Sequence, residues 1–201
     1  YISRKLSSHR GFFKPPYFGE KSYLNTYIKN YRNIFRVSSF YKSKNLIYKG
    51  NFNFNYIYFP LHAFPENDVY ANSGANDELY YIIKLSKLLP IDWKIVVKPS
   101  PLMFLTGCDV HPLSFYEKIN KINNCFLVSP EENSNYLLEN ANATASISGT
   151  NLVEAVIMNK PAFRFGDFNL DSLNGIYKFD EKTFKKQLDQ SNQNFKTNNY
   201  S

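Results

Sequence analysis

Cysteine is scarce in this chain. The two present, Cys108 and Cys125, form no Cys-x-x-Cys pair, and the three histidines (His9, His62, His111) do not cluster with them. That spacing supplies no zinc ligand set, so no metal is expected, and free thiols in a reducing compartment are the expectation, with one disulfide as the alternative. Long apolar runs are also missing. None approaches the roughly 20 residues of a membrane-spanning helix, and the start of the chain lacks the apolar core of a signal peptide. Tyr1 stands where a Met would open a complete chain, and we read the sequence as a piece of a longer one. The missing signal therefore says nothing about export. The Asn142-Ala143-Thr144 triplet fits a glycosylation acceptor but leads into an apolar run expected to be a buried strand, which argues against its use.

What is present is enough for one domain and an extension: 201 residues, 43% of them hydrophobic. The formal net charge is +7, with a mild basic excess before residue 50. A basic surface suits a solvated face, an anionic glycan, a nucleotide sugar, an anionic membrane or nucleic acid, and charge alone does not choose among them. The abundance of Asn, Lys, Ile, Tyr and Phe is also what an AT-rich genome encodes, which weakens any argument from basicity. Nucleic acid rests on charge and on aromatics interleaved with basic residues only, and we do not expect it as a partner.

The organisation divides at residue 50. Residues 1–50 form an N-terminal extension, irregular to Gly19 and then amphipathic, with Tyr23, Leu24, Tyr27, Ile28, Tyr31, Ile34 and Phe35 at helical spacing. That row of residues is expected to pack on the domain or on a neighbour. Residues 51–190 alternate short apolar runs with amphipathic ones, and 191–201 is a polar tail. Strands are expected at 56–59, 93–98, 125–128, 143–147, 162–165 and 176–177. Helices are expected at 77–89, 114–122, 134–140, 151–158 and 180–190. Strands that are apolar throughout, alternating with helices, predict a Rossmann-like parallel sheet covered on both faces. Right-handed crossovers then place every strand's C-terminal end on one edge, where ligands bind beside a topological switch point.

Three turns after strands carry the unusual residues. The first is Pro60-Leu61-His62-Ala63-Phe64-Pro65-Glu66, the second Lys98-Pro99-Ser100-Pro101, the third Ser148-Gly149-Thr150 with Glu154 one helical turn further on. Gly149 permits close approach of backbone to a ligand. The hydroxyls of Ser148 and Thr150, with helix-end N–H groups, suit a phosphate. Taken alone, Thr150 reads first as an N-cap. Lys98 is a strand-end cation, and His62 can neutralise phosphate or move a proton. Glu66 reads first as the group that orients His62, and Glu154 as a partner for ribose hydroxyls. The His111-Pro112 pair is placed at the opposite sheet edge, as a helix-start region.

Three blocks in this order resemble the bacterial capsule polysaccharide biosynthesis and export family, which includes Kdo transferases. They are Phe59-Pro60-Leu61-His62-Ala63-Phe64-Pro65-Glu66; Pro112-Leu113-Ser114-Phe115-Tyr116; and Ser148-Gly149-Thr150 through Glu154-Ala155, Lys160-Pro161 and Phe165-Gly166. The likeness runs over roughly residues 55–168. It implies the C-terminal, donor-binding half of a GT-B fold. It implies an inverting glycosyltransferase for capsule or surface polysaccharide, with a nucleotide-activated sugar of the CMP-Kdo kind as substrate and no further cofactor. The acceptor would be a polysaccharide or lipid-linked glycan, and the location cytoplasmic or peripheral at the inner membrane beside capsule assembly proteins. No Asp-x-Asp pair occurs, in keeping with metal-independent transfer. Family members usually carry His-Pro after the Lys-bearing strand, where this chain has Ser100-Pro101. The donor and phosphate set is therefore His62, Lys98, Ser100, Ser148, Gly149 and Thr150. Glu154 is assigned to ribose, and no residue is assigned as catalytic base. The alternatives are a UDP-sugar transferase or epimerase, and a non-catalytic glycan- or partner-binding domain of a capsule assembly complex.

Overall fold

A computed structural model describes residues 20–43, 52–62, 78–101, 104, 111–166 and 173–189. The elements in chain order are α1 (Glu20–Ser43), β1 (Tyr56–Pro60), α2 (Glu78–Leu88), β2 (Lys94–Lys98), α3 (Leu113–Asn120), β3 (Cys125–Leu127), α4 (Ser134–Asn140), β4 (Ala143–Ser146), α5 (Thr150–Ile157), β5 (Ala162–Arg164) and β6 (Ile176–Lys178). Residues 184–189 are helical as well. The six strands form one parallel sheet in the order β3-β2-β1-β4-β5-β6. The expected Rossmann-like α/β architecture is therefore the one found. The chain steps outward from β1 to β3 on one side, then returns to start β4 on the other. The switch point lies between β1 and β4.

Alternation of side chains sorts the core into two layers. Ile57, Phe59, Ile95, Val97, Ala145 and Phe163 face one side, under α2, α3 and the 184–189 helix, which adds Phe184 and Leu188. Tyr56, Tyr58, Val96 and Ala162 face the other, against Leu137 and Leu138 of α4 and Leu152 and Ala155 of α5. Both faces are covered, which is why these strands carry apolar residues at consecutive positions. Two buried polar groups at the start of β1 are bonded across the fold. The Tyr56 hydroxyl donates to the Leu137 carbonyl at 2.7 Å, and Asn142 Oδ1 accepts the Tyr56 amide at 2.9 Å. The second bond gives Asn142 a role at the entry to β4. Cys125 is a free, buried thiol, pushed up to about 12 by burial and so chemically quiet. Cys108 lies outside the described residues.

Helix α1 meets the domain along one side. It packs on the domain through Val37 and Tyr41, which is edge-on to Tyr116 of α3, and Asn33 Nδ2 donates to the His111 carbonyl. Of the row expected to pack on the domain or on a neighbour, Ile34 is half-buried and Ile28, Tyr31 and Phe35 are exposed, while the side chains of Tyr23, Leu24 and Tyr27 lie outside the described residues. At about 100° per residue the exposed three lie away from the Val37–Tyr41 side. Two apolar stripes run along this helix, and spacing within the sequence does not say which one the domain covers. No helix among the described residues is long and apolar enough to cross a membrane.

Candidate functional site

The β1–β4 register sets the site. Tyr58 pairs with Thr144, so four residues further on His62 comes opposite Ser148, just beyond the C-terminal ends of both strands. There the strands part at the switch point and the two turns meet. His62 Nε2 is 2.7 Å from the Ser148 carbonyl oxygen, and Ser146 Oγ donates to the same oxygen at 2.9 Å. Gly149 is the N-cap of α5, with φ +113°. A Cβ there would lie 3.4 Å from His62 Nε2 and 3.1 Å from Asn151 Oδ1. Glycine is required both by the backbone angle and by the imidazole packed against it. Thr150 is the first helical residue and not the cap expected for it, because Gly149 already holds the capping position. No side chain caps α5. The first-turn amides of a helix have no intrahelical acceptor, and they sit at its positive end.

The other residues expected at this edge take the following places. Lys98 is the last residue of β2, paired in register with Pro60, and is only 3% exposed. Burial pulls its ammonium below the ordinary lysine value, against the opposing charge of Glu132. Among the described residues no carboxylate lies in ion-pair range of it. Ser100 is half-buried two residues beyond the strand, Ser148 is buried, and Thr150 and Glu154 are exposed. Tyr58 is pushed up to about 12 by burial, with a hydrogen bond to Ser134 opposing and the charge of Glu154 adding. Glu154 thus lies at the α4–α5 side of the sheet. Glu66 lies outside the described residues.

Of three further residues here, two escaped the sequence and one, His111, was misplaced by it. The carboxylate on His62 is Glu78, the first residue of α2, whose Oε1 accepts both the ring Nδ1–H and the backbone N–H of His62 at 2.9 Å. Its other oxygen contacts His111 Nε2 at 3.1 Å. His111 was placed at the opposite edge, and that is corrected. It sits between the C-terminal end of β2 and the start of α3, and in a strand-to-helix connection both lie on the C-terminal edge. That topological rule was enough to find it. Its ring stacks on Phe115 with centroids 4.0 Å apart. Burial alone raises the Glu78 carboxyl, but hydrogen bonds from His111 and His62 and their charges outweigh it and hold it below the ordinary carboxylate value. The third is Arg164, the last residue of β5, buried, with Nη1 donating to the Gly166 carbonyl at 2.7 Å. Nothing but its position at a strand end marked it. No group of three His, Cys, Asp or Glu among the described residues is arranged to hold a metal ion.

Fold and site together define a Rossmann-like α/β domain whose switch point is flanked by the His62 and Ser148–Gly149 turns in direct contact. No family model matches the chain, and no curated protein matches it. Among solved structures it is similar to KpsC, a beta Kdo 2,7 transferase of Thermosulfurimonas dismutans. The TM-score is 0.48 at 15% identity, over 95% of this chain and 57% of that one. It is similar to the UDP-GlcNAc 2-epimerase of Methanocaldococcus jannaschii in complex with UDP-GlcNAc and UDP, with TM-score 0.47 at 15% identity, over 81% and 44%. It is similar also to S. aureus MnaA bound to UDP, with TM-score 0.44 at 12% identity, over 96% and 47%. The chain spans between 44% and 57% of the length of these three.

Proposed function

We propose that the crevice between β1 and β4 binds the phosphate end of a nucleotide-activated sugar, and that the chain is the donor-binding half of a GT-B glycosyltransferase for surface polysaccharide. One observation carries this: the His62 loop and the Ser148-Gly149-Thr150 turn, 86 residues apart, meet in direct contact at the switch point. Switch-point crevices of parallel sheets are where such folds take ligands. A glycine-started helix offers free amides to an anion. Lys98 at the end of β2 supplies a cation without a carboxylate partner among the described residues, and Arg164 at the end of β5 a second cation. In this role the amides, Lys98 and the hydroxyls of Ser148, Thr150 and Ser100 stabilise the departing phosphate, and Glu154 receives ribose hydroxyls. A CMP-linked donor of the Kdo kind is the finer proposal, from the sequence blocks that resemble Kdo transferases. A uridine diphosphate sugar is the alternative. Transfer itself needs a base on the acceptor side to take the hydroxyl proton, a group expected from the other half of such a fold.

Calorimetric titration of the chain with CMP, UMP and UDP tests it. Binding of a cytidine nucleotide in preference to a uridine one supports the Kdo-type donor, and the reverse supports the alternative. Glu154→Gln, an exposed substitution that leaves the fold intact, weakens binding by about tenfold, the loss expected for one charge-assisted hydrogen bond. Unchanged affinity in that variant removes the ribose role, and absence of any nucleotide binding removes the proposal.

A further inference from the structure

Three side chains from separate segments meet at the sheet edge, and Glu78 is at their centre. Its side chain is 4% exposed, and both carboxylate oxygens are used: Oε1 by His62, through ring and backbone, and Oε2 by His111. His62 has an acceptor at each ring nitrogen, Glu78 Oε1 at Nδ1 and the Ser148 carbonyl at Nε2. A neutral imidazole has one N–H, so satisfying both contacts takes two ring protons. The buried carboxylate supplies the countercharge for the second.

We propose that Glu78 is a positioning residue that holds His62 as an imidazolium clamped on the Ser148 carbonyl, and thereby sets the Ser148–Gly149 turn to receive an anionic phosphate ligand. The last clause rests on the phosphate-site reading of the crevice; the Glu78–His62 coupling does not. The clamp has a defined effect on the backbone. The Ser148 carbonyl accepts from His62 Nε2 and Ser146 Oγ, which uses both of its lone pairs. In a trans peptide the carbonyl and the following N–H point in opposite directions. Fixing the carbonyl toward His62 and Ser146 therefore directs the Gly149 amide away from them. The imidazolium charge lies 3.4 Å from the position of a Gly149 Cβ, at the same helix end as the first-turn amides. His111 and Tyr116 are the other titratable groups around Glu78. His111 contacts Glu78 Oε2 through Nε2, and the Tyr116 hydroxyl is raised by burial and by the Glu78 charge.

Ring nitrogen-15 NMR of His62 in the ligand-free chain tests the coupling. At about pH 7 both ring nitrogens are expected to carry protons, and Glu78→Gln, which keeps the shape and removes the charge, is expected to leave His62 neutral at the same pH. With CMP or UMP as probe, the same variant is expected to bind about tenfold more weakly, the equivalent of roughly one pH unit of charge stabilisation. A singly protonated His62 in the unsubstituted chain overturns the proposal, and that measurement stands even where Glu78→Gln fails to fold. A folded Glu78→Gln chain in which His62 keeps both protons overturns it equally. Binding of neither nucleotide to the unsubstituted chain overturns the phosphate reading instead, while the NMR result still decides the coupling.

Discussion

The imidazole of His62 and the carbonyl of Ser148, 2.7 Å apart, join the two turns that flank the switch point. The contact is direct because Gly149 has no side chain to keep them apart. It ties the loop after β1 to the first turn of α5, and it makes the neighbourhood of Gly149 sensitive to single atoms.

Gly149→Ala is the first consequence. The residue has φ +113°, and a Cβ would meet Asn151 Oδ1 at 3.1 Å and His62 Nε2 at 3.4 Å. The strain of that backbone region in a non-glycine residue costs about 1–3 kcal/mol. Urea unfolding is expected to show a loss of that size, with nucleotide affinity lowered as His62 is pushed aside. An unchanged midpoint would mean that the turn relaxes freely and that the His62 packing is dispensable.

Lys98 separates stability from binding. Its ammonium is buried, held below the ordinary lysine value by that burial, and has no carboxylate in range among the described residues. Desolvating an unpaired cation opposes folding, and Lys98→Met keeps the stem while removing the charge. The variant is expected to unfold at an equal or higher denaturant concentration while binding CMP or UMP more weakly by about tenfold or more. Destabilisation by more than about 2 kcal/mol would make Lys98 a structural residue.

Acid unfolding reads Glu78. Its carboxyl lies below the ordinary value in the folded chain, because hydrogen bonds and charge from His111 and His62 overcome the opposing effect of burial. A depressed carboxyl contributes stability that is complete above its unfolded value, about 4.3, and that is lost as pH falls through the lower folded value. Glu78→Gln is therefore expected to be less stable than the unsubstituted chain at about pH 7, with the gap closing toward about pH 3. Denaturant titrations across that range measure it, and a gap that stays constant contradicts the assignment.

Much of the fold was legible in order along the chain. Tyr56-Ile57-Tyr58-Phe59 and Trp93 to Lys98 read as strands because consecutive apolar residues have two covered faces to fill. Ser148-Gly149-Thr150 read as a turn from strand to helix, and Gly149 holds the positive φ at the start of α5. Glu78 was not legible: an acidic residue at a helix start is ordinary, and only the folded chain brings it onto His62 across 16 residues and His111 across 33. Which stripe of α1 meets the domain was not legible for a related reason. Periodicity defines a face but not its neighbour, and Val37 and Tyr41 are buried only because α3 lies beneath them.

The sequence by itself determined the elements, their parallel arrangement and the strand ends that gather at one edge, because backbone hydrogen bonding and apolar burial act locally and repeat along the chain. Which side chains touch there was decided by the tertiary structure alone. The β1–β4 register brings His62 opposite Ser148, and the turn onto α3 brings His111 to Glu78. Contacts of that kind depend on the relative placement of segments that share no periodicity, so no local pattern encodes them.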